Sequence, residues 1–168
     1  MNKIEKVYYG DVHVREMISD IAMKMHRDNW KPDYIVGLTR GGLIPAVYLS
    51  HYLDIPMETL KVSLRDNSDT ESNLWMSEDA YNGKNILIVD DINDTGATLD
   101  WIINDWQESC LPDDPKWLNV WGNTVKFAVI ADNLASQCGI EMDYVGFEVN
   151  KEEENTWLDF PYEDWWTK

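Results

Sequence analysis

An α/β fold, with a parallel β-sheet flanked by helices, follows from three features of this sequence. Apolar runs of strand length alternate with stretches in which apolar residues recur every three or four positions. Tyr34–Leu38 and Asn85–Val89 are apolar almost throughout, as strands buried on both faces are. Each leads through a turn into a helical stretch, the order that β-α-β units require.

Taken in order, Val14, Met17, Ile18, Ile21, Ala22 and Met25 lie on one helix face, which predicts a helix over Asp11–Asn29. Pro32 and Asp33 break that pattern before the strand Tyr34–Leu38. Gly41 and Gly42 then introduce a second helix at about Leu43–Leu53. Glu58–Leu64 alternates with the period of a strand. Arg65–Gly83 is polar and rich in Asp, Asn and Ser, and reads as a loop; so long a loop in a compact domain is usually functional. Asn85–Val89 is the clearest buried strand and ends in two aspartates, followed by a helix from about Gly96 to Cys110. Pro112–Asn119 reads as an irregular link, and Val125–Ala131 and Tyr144–Val149 as two further strands. The tail, Asn155–Lys168, is aromatic and acidic. In such sheets ligands bind beyond the carboxyl ends of the strands, which singles out the turns after Leu38, Val89 and Ala131.

A chain of 168 residues is expected to form a single domain with its own core. The net charge of −17 speaks against nucleic acid, whose binding depends on neutralising phosphates with Lys and Arg. It leaves room for a small phosphorylated ligand, which backbone amides and a divalent cation can hold. The acidity itself reads as a self-repelling, solvated surface. No apolar stretch approaches the ~20 residues of a membrane span, and nothing near Met1 resembles a signal peptide. Cys110 and Cys138 lack metal-ligand spacing and read as reduced thiols, so a cytoplasmic location is expected.

The segment Asp90-Asp91-Ile92-Asn93-Asp94-Thr95-Gly96-Ala97-Thr98 carries the most chemistry. A strand delivers it and a helix begins near Thr95. Free amides at a helix start, two threonine hydroxyls and a glycine that lets the backbone approach make a cradle for a phosphate. Paired carboxylates would repel a phosphate in that cradle. They suit the vicinal hydroxyls of a sugar, or waters on a magnesium ion. A phosphate site beside a diol site describes a phosphorylated ribose. The competing structural reading is a helix cap at Asp94 or Thr95 with a solvated aspartate pair. An acidic pocket of the response-regulator kind would also pair aspartates at a strand end, but it leaves the threonines unexplained. The turn Thr39-Arg40-Gly41-Gly42 allows unusual backbone angles and offers a guanidinium to a diphosphate. On its own it is equally a tight turn with an exposed arginine.

Ile86–Thr98 resembles the signature of the type I phosphoribosyltransferases. The resemblance implies that Asp90 and Asp91 hold the ribose hydroxyls of 5-phosphoribosyl-1-pyrophosphate (PRPP), and that Thr95, Gly96, Ala97 and Thr98 hold its 5-phosphate. Asp94 matches the aspartate near the purine N7 in purine-salvage members, a candidate general base or stabiliser of charge on the ring. Gly37–Pro45 resembles the pyrophosphate loop of bacterial and archaeal purine enzymes. It implies pyrophosphate contacts from Thr39, Arg40 and Gly41 and a non-proline cis peptide at Thr39–Arg40, with Asp94 and Arg40 as the catalytic pair.

Asp143–Val149 and Thr156–Glu163 look like the parts of hypoxanthine, guanine and xanthine phosphoribosyltransferases that hold the base, with a small C-terminal hood over about 151–168 and a core over about 30–150. By this resemblance Trp157 stacks on the purine, the Leu158 backbone reads the ring edge, and Glu163, with Asp90 and Asp91, serves a Mg2+ cofactor. Phe160 and Trp165 read as core or interface packing. Ser63–Gly83 sits where the family has its catalytic flap, with Arg65 and Lys84 as candidate pyrophosphate contacts.

One departure stands out. The family's lysine that donates to the 6-oxo group falls at Asp132, followed by Asn133. A carboxylate accepts rather than donates, so a 6-amino purine, a donor role for Asn133, or a site away from the base all remain open. The resemblance therefore implies transfer of phosphoribosyl from PRPP to a purine base by a homo-oligomer, a dimer or tetramer. A non-catalytic PRPP-binding regulatory module and a phosphoribosyltransferase for a non-oxopurine acceptor stand as alternatives.

Overall fold

The protein is described by a computed structural model covering residues 3–62 and 74–168. Its sheet has five parallel strands in the order β3-β2-β4-β5-β6: β2 (Tyr34–Thr39), β3 (Met57–Lys61), β4 (Ile86–Asn93), β5 (Val125–Asn133) and β6 (Tyr144–Val149). A second, two-stranded sheet pairs β1 (Glu5–Tyr8) with β7 (Thr156–Asp159), also parallel. Both faces of the larger sheet are covered. On one, Ile35, Leu87 and Val89 pack with helix α1 (Asp11–Arg27) and helix α2 (Leu43–Leu53). On the other, Val36, Ile86 and Ile88 pack with helix α3 (Leu74–Tyr81) and helix α4 (Ala97–Ser109). The apolar runs of β2 and β4 exist because their side chains meet a core on each side.

The expected helices and strands appear with shifts of a few residues, and three expectations are corrected. The segment read as a loop to Gly83 contains α3, because Met76, Ser77 and Ala80 bury one helical face and the Ser77 hydroxyl donates to the Trp106 carbonyl. Within Pro112–Asn119, Pro115–Asn119 forms a 3-10 turn capped by Asp114, whose side chain accepts from the Lys116 N–H at 2.9 Å. Phe160 is buried as expected, but Trp165 is 66% exposed and meets Trp166 edge-on, so it is no part of the core. The strands β1 and β7 were not expected. Residues 63–73 of the proposed flap, Arg65 among them, lie outside the described residues. Lys84 pairs with Asp79 at 3.3 Å.

The strand order fixes where a ligand can sit. From β2 the chain crosses to β3 at one edge, then returns past β2 to β4 and continues the other way. The crevice opens where the direction reverses, between the carboxyl ends of β2 and β4. Those ends carry Thr39–Gly42 and Asp90–Thr98.

Candidate active site

The two turns are fitted to one another by glycine. A Cβ on Gly41 would lie 2.2 Å from Asp91 Oδ2, and one on Gly42 would lie 2.2 Å from the Val89 carbonyl oxygen. A side chain at Gly42 would push the turns apart, and one at Gly41 would displace the Asp91 carboxylate. The Thr39–Arg40 peptide is cis, as the resemblance implied, and Arg40 is exposed at the mouth. Arg40, Gly41, Asp91, Tyr162 and Glu163 line a cleft of about 500 Å³.

Strand β4 runs on through the acidic pair rather than ending before it. The Asp90 carboxylate accepts from the Asp91 N–H at 2.9 Å, and Asp91 accepts from the Ile92 N–H at 2.8 Å and from the Tyr162 hydroxyl at 3.4 Å. Burial drives both carboxyls above their usual range, Asp90 furthest because the Asp91 charge adds to it. Burial also raises Glu163, reinforced by Asp91. The Tyr162 hydroxyl is pushed strongly up, by burial first and then by the charges of Asp91 and Glu163, so it stays a donor.

Beyond the pair, a hollow of about 220 Å³ lies against Asp94, Thr95, Gly96 and Thr98. Gly96 has φ +89°, and its missing Cβ would fall 2.4 Å from the Cys138 nitrogen, so the segment after β5 props the turn from behind. No side chain caps α4 at Gly96; the Thr95 hydroxyl accepts from the Ala97 N–H at 3.3 Å. The helix start therefore faces the hollow with its amides and the Thr98 side chain, the arrangement that binds phosphate.

Asp94 does not cap the helix. Its carboxylate pairs with Lys151 Nζ at 3.0 Å, and its backbone carbonyl accepts from Asn133 Nδ2 at 2.9 Å. Lys151 Nζ also stands 5.9 Å from the centre of the Trp157 ring, which is 48% exposed. Asp94, Lys151 and Trp157 thus meet beside the hollow. Leu158 is buried by its side chain. Its backbone faces the open edge of β7, because Glu5 and Tyr9 donate to the carbonyls of Asn155 and Asp159, and alternate residues of a parallel strand point opposite ways.

The match to the phosphoribosyl transferase domain model runs over residues 11–165, which takes in every element from α1 to the hood. The chain belongs to the phosphoribosyltransferase family. Among related phosphoribosyltransferases, xanthine-guanine phosphoribosyltransferase of Idiomarina loihiensis is 29% identical over 135 residues, 77% of this chain and 70% of the relative. Xanthine phosphoribosyltransferase 1 of Saccharomyces cerevisiae is 24% identical over 143 residues, covering 71% and 68%. The crystal structure of a purine phosphoribosyltransferase from Pyrococcus horikoshii superposes with a TM-score of 0.68 at 30% identity, covering 96% of each chain.

Within this phosphoribosyltransferase, Asp90, Asp91 and the segment from Asp94 to Thr98 converge with Thr39, Arg40, Gly41 and Glu163 around the crevice. Asp132 lines a different hollow, whose walls do not include Trp157. It accepts from Asn93 Nδ2 at 2.9 Å in that hollow with Glu141 and Glu148, where burial and those two charges raise its carboxyl. Asn133 is not a free donor either, since its amide holds Asp94 and Lys151 in place. Sequence reasoning missed Lys151 and Tyr162. Lys151 opens the run Lys-Glu-Glu-Glu, which looks like any charged turn, and no local signal ties it to Asp94. Among the described residues, no three His, Cys, Asp or Glu side chains gather as a cage for a metal, and no helix is long and apolar enough to cross a membrane.

Proposed function

We propose that this phosphoribosyltransferase transfers the 5-phosphoribosyl group of PRPP to a purine base, releasing a nucleoside monophosphate and pyrophosphate. The observation that carries the reading is the convergence at the switch point. A helix-start hollow suited to phosphate, two half-buried carboxylates suited to a diol, and an arginine turn suited to pyrophosphate adjoin in the order of the groups on PRPP.

In this reading Thr95–Thr98 hold the 5-phosphate while Asp90 and Asp91 accept hydrogen bonds from the ribose hydroxyls. Arg40, with the backbone of Thr39 and Gly41, receives the pyrophosphate. A purine ring nitrogen attacks C1; the C1–O bond breaks and its electron pair leaves with pyrophosphate. Trp157 stacks on the ring, the Leu158 backbone meets its edge, and Asp94 takes or balances the proton on the far ring nitrogen. Catalysis rests on positioning and charge, without a covalent nucleophile.

Asp91 and Glu163 fit a magnesium ion, because two carboxylates of raised pKa face one cleft with no cage of protein ligands around them. Such a site suits an ion that keeps its waters and is held mainly by phosphates, and Asp90 would add its charge beside Asp91. Bound there with PRPP, magnesium would neutralise charge on the pyrophosphate.

The test is pyrophosphate release from PRPP with magnesium across hypoxanthine, guanine, xanthine, adenine and uracil. Turnover with a purine is expected. Saturable PRPP binding without turnover of any base would replace this reading with a regulatory module. Asp94→Ala should lower kcat by about a hundredfold or more while PRPP still binds; normal turnover in that variant would remove Asp94 from the mechanism.

A further inference from the structure

Asp132 occupies the position expected to read the purine 6-substituent, yet it is bound to Asn93 and lines a hollow whose walls do not include Trp157. A different cation stands at the base site. We infer that Lys151 and Asp94 together read the N7–C6 edge of the purine and select 6-oxopurines. This rests on the purine acceptor proposed above and assigns the specificity to a residue outside the family's usual lysine position.

The geometry matches one class of base. The Lys151 ammonium and the Asp94 carboxylate are 3.0 Å apart, a donor beside an acceptor. On a purine, N7 and the 6-substituent lie on the same edge, roughly 3 Å apart, the span of a bidentate contact. An oxopurine poised to react through N9 carries its proton on N7. That N–H donates to the Asp94 carboxylate, and the 6-oxygen accepts from Lys151. Adenine presents an amino group instead, and an ammonium has no lone pair to receive it.

Three features hold the pair ready. Asn133, 6% exposed, accepts from the Lys151 N–H at 3.1 Å and donates to the Asp94 carbonyl at 2.9 Å, fixing the spacing of the two backbones. The Lys151 side chain is only 18% exposed, and the Asp94 carboxylate neutralises it while leaving further N–H groups to donate. Trp157, whose ring centre is 5.9 Å from Nζ, supplies an exposed face on which a base can stack beside the pair.

The test compares steady-state kinetics with hypoxanthine, guanine and adenine for the unmodified protein, Lys151→Met, Lys151→Arg and Asp132→Asn. The unmodified protein should favour the oxopurines. Lys151→Met should lose about tenfold to a hundredfold in kcat/KM for hypoxanthine and guanine, the worth of a charged hydrogen bond. Its KM for PRPP should hold, and its kcat/KM with adenine should fall by a smaller factor than with the oxopurines. Lys151→Arg keeps a donor and should retain the oxopurine preference, and Asp132→Asn should leave the ratio of oxo to amino substrates unchanged. A merely structural lysine would lower all substrates alike. A Lys151→Met protein with an unaltered ratio overturns the inference and leaves the purine reading standing, as does an unmodified protein that prefers adenine. Turnover of no purine at all removes both.

Discussion

Asp90 and Asp91 are held in a state that the protein alone does not favour. Each carboxylate accepts a backbone N–H, but burial raises both above the ordinary range, and the Asp91 charge raises Asp90 further. The folded state therefore keeps its protons longer than the unfolded chain does. Stability is lost as pH rises from the usual carboxylate value through the raised folded one. Asp90→Asn keeps an oxygen to accept from Asp91 and removes the repelling charge. At pH 7 it should stabilise the ligand-free protein by about 1 kcal/mol, a gain that vanishes near about pH 4. The same variant should cost about a hundredfold or more in kcat/KM. Urea denaturation at the two pH values, beside PRPP turnover, reads both effects. A variant less stable than the parent at pH 7 would mean the pair is not strained by its charges.

Turns decide how closely β2, β4 and the segment after β5 approach, and two left-handed glycines separate strain from crowding. Gly83 has φ +85° with nothing within 4 Å of where a Cβ would stand, whereas Gly96 has φ +89° and Cys138 at 2.4 Å. Gly83→Ala should cost about 1 kcal/mol, the strain alone. Gly96→Ala should cost more than about 2 kcal/mol and weaken PRPP binding as the cradle shifts. Thermal melting and calorimetric titration measure these; equal costs would mean that the Cys138 segment yields freely. The cradle was legible in the sequence because its chemistry lies within nine consecutive residues, Asp90–Thr98. The long apolar strands and α1 were legible for a related reason, since each carries enough residues to display its period. Four-residue strands such as β1 and β7 do not, and α3 hides its buried Met76 and Ala80 in a polar stretch. Lys151 was beyond reach because its partner Asp94 lies on a distant strand end, brought near only by the stacking of β4, β5 and β6.

At the scale of the molecule, the proposed base site draws on both extremes of the described chain. The five-stranded sheet carries the proposed PRPP side, while Trp157 and Leu158 sit on β7, whose only strand partner among the described residues is β1. The hood is anchored below by Leu158 and Phe160, buried in the α1 core, and by Tyr9, which stacks on Phe147 at 4.8 Å. Lys168 Nζ closes it from above, bonded to Asp159 Oδ1 at 2.9 Å and to the Phe160 carbonyl at 2.8 Å. Binding of the two substrates should therefore be separable by a change remote from both. Glu5 and Tyr9 donate to β7, so the parallel period directs the Val7 N–H at the Trp157 carbonyl. Val7→Pro removes that donor and loosens the strand beneath the stacking indole. The KM for the base should rise about tenfold, while the KM for PRPP, whose proposed contacts lie on β2, β4 and α4, should stay within about twofold. If both rise together, the hood and the crevice are mechanically one unit, and β1 supports the PRPP side as well as the base side.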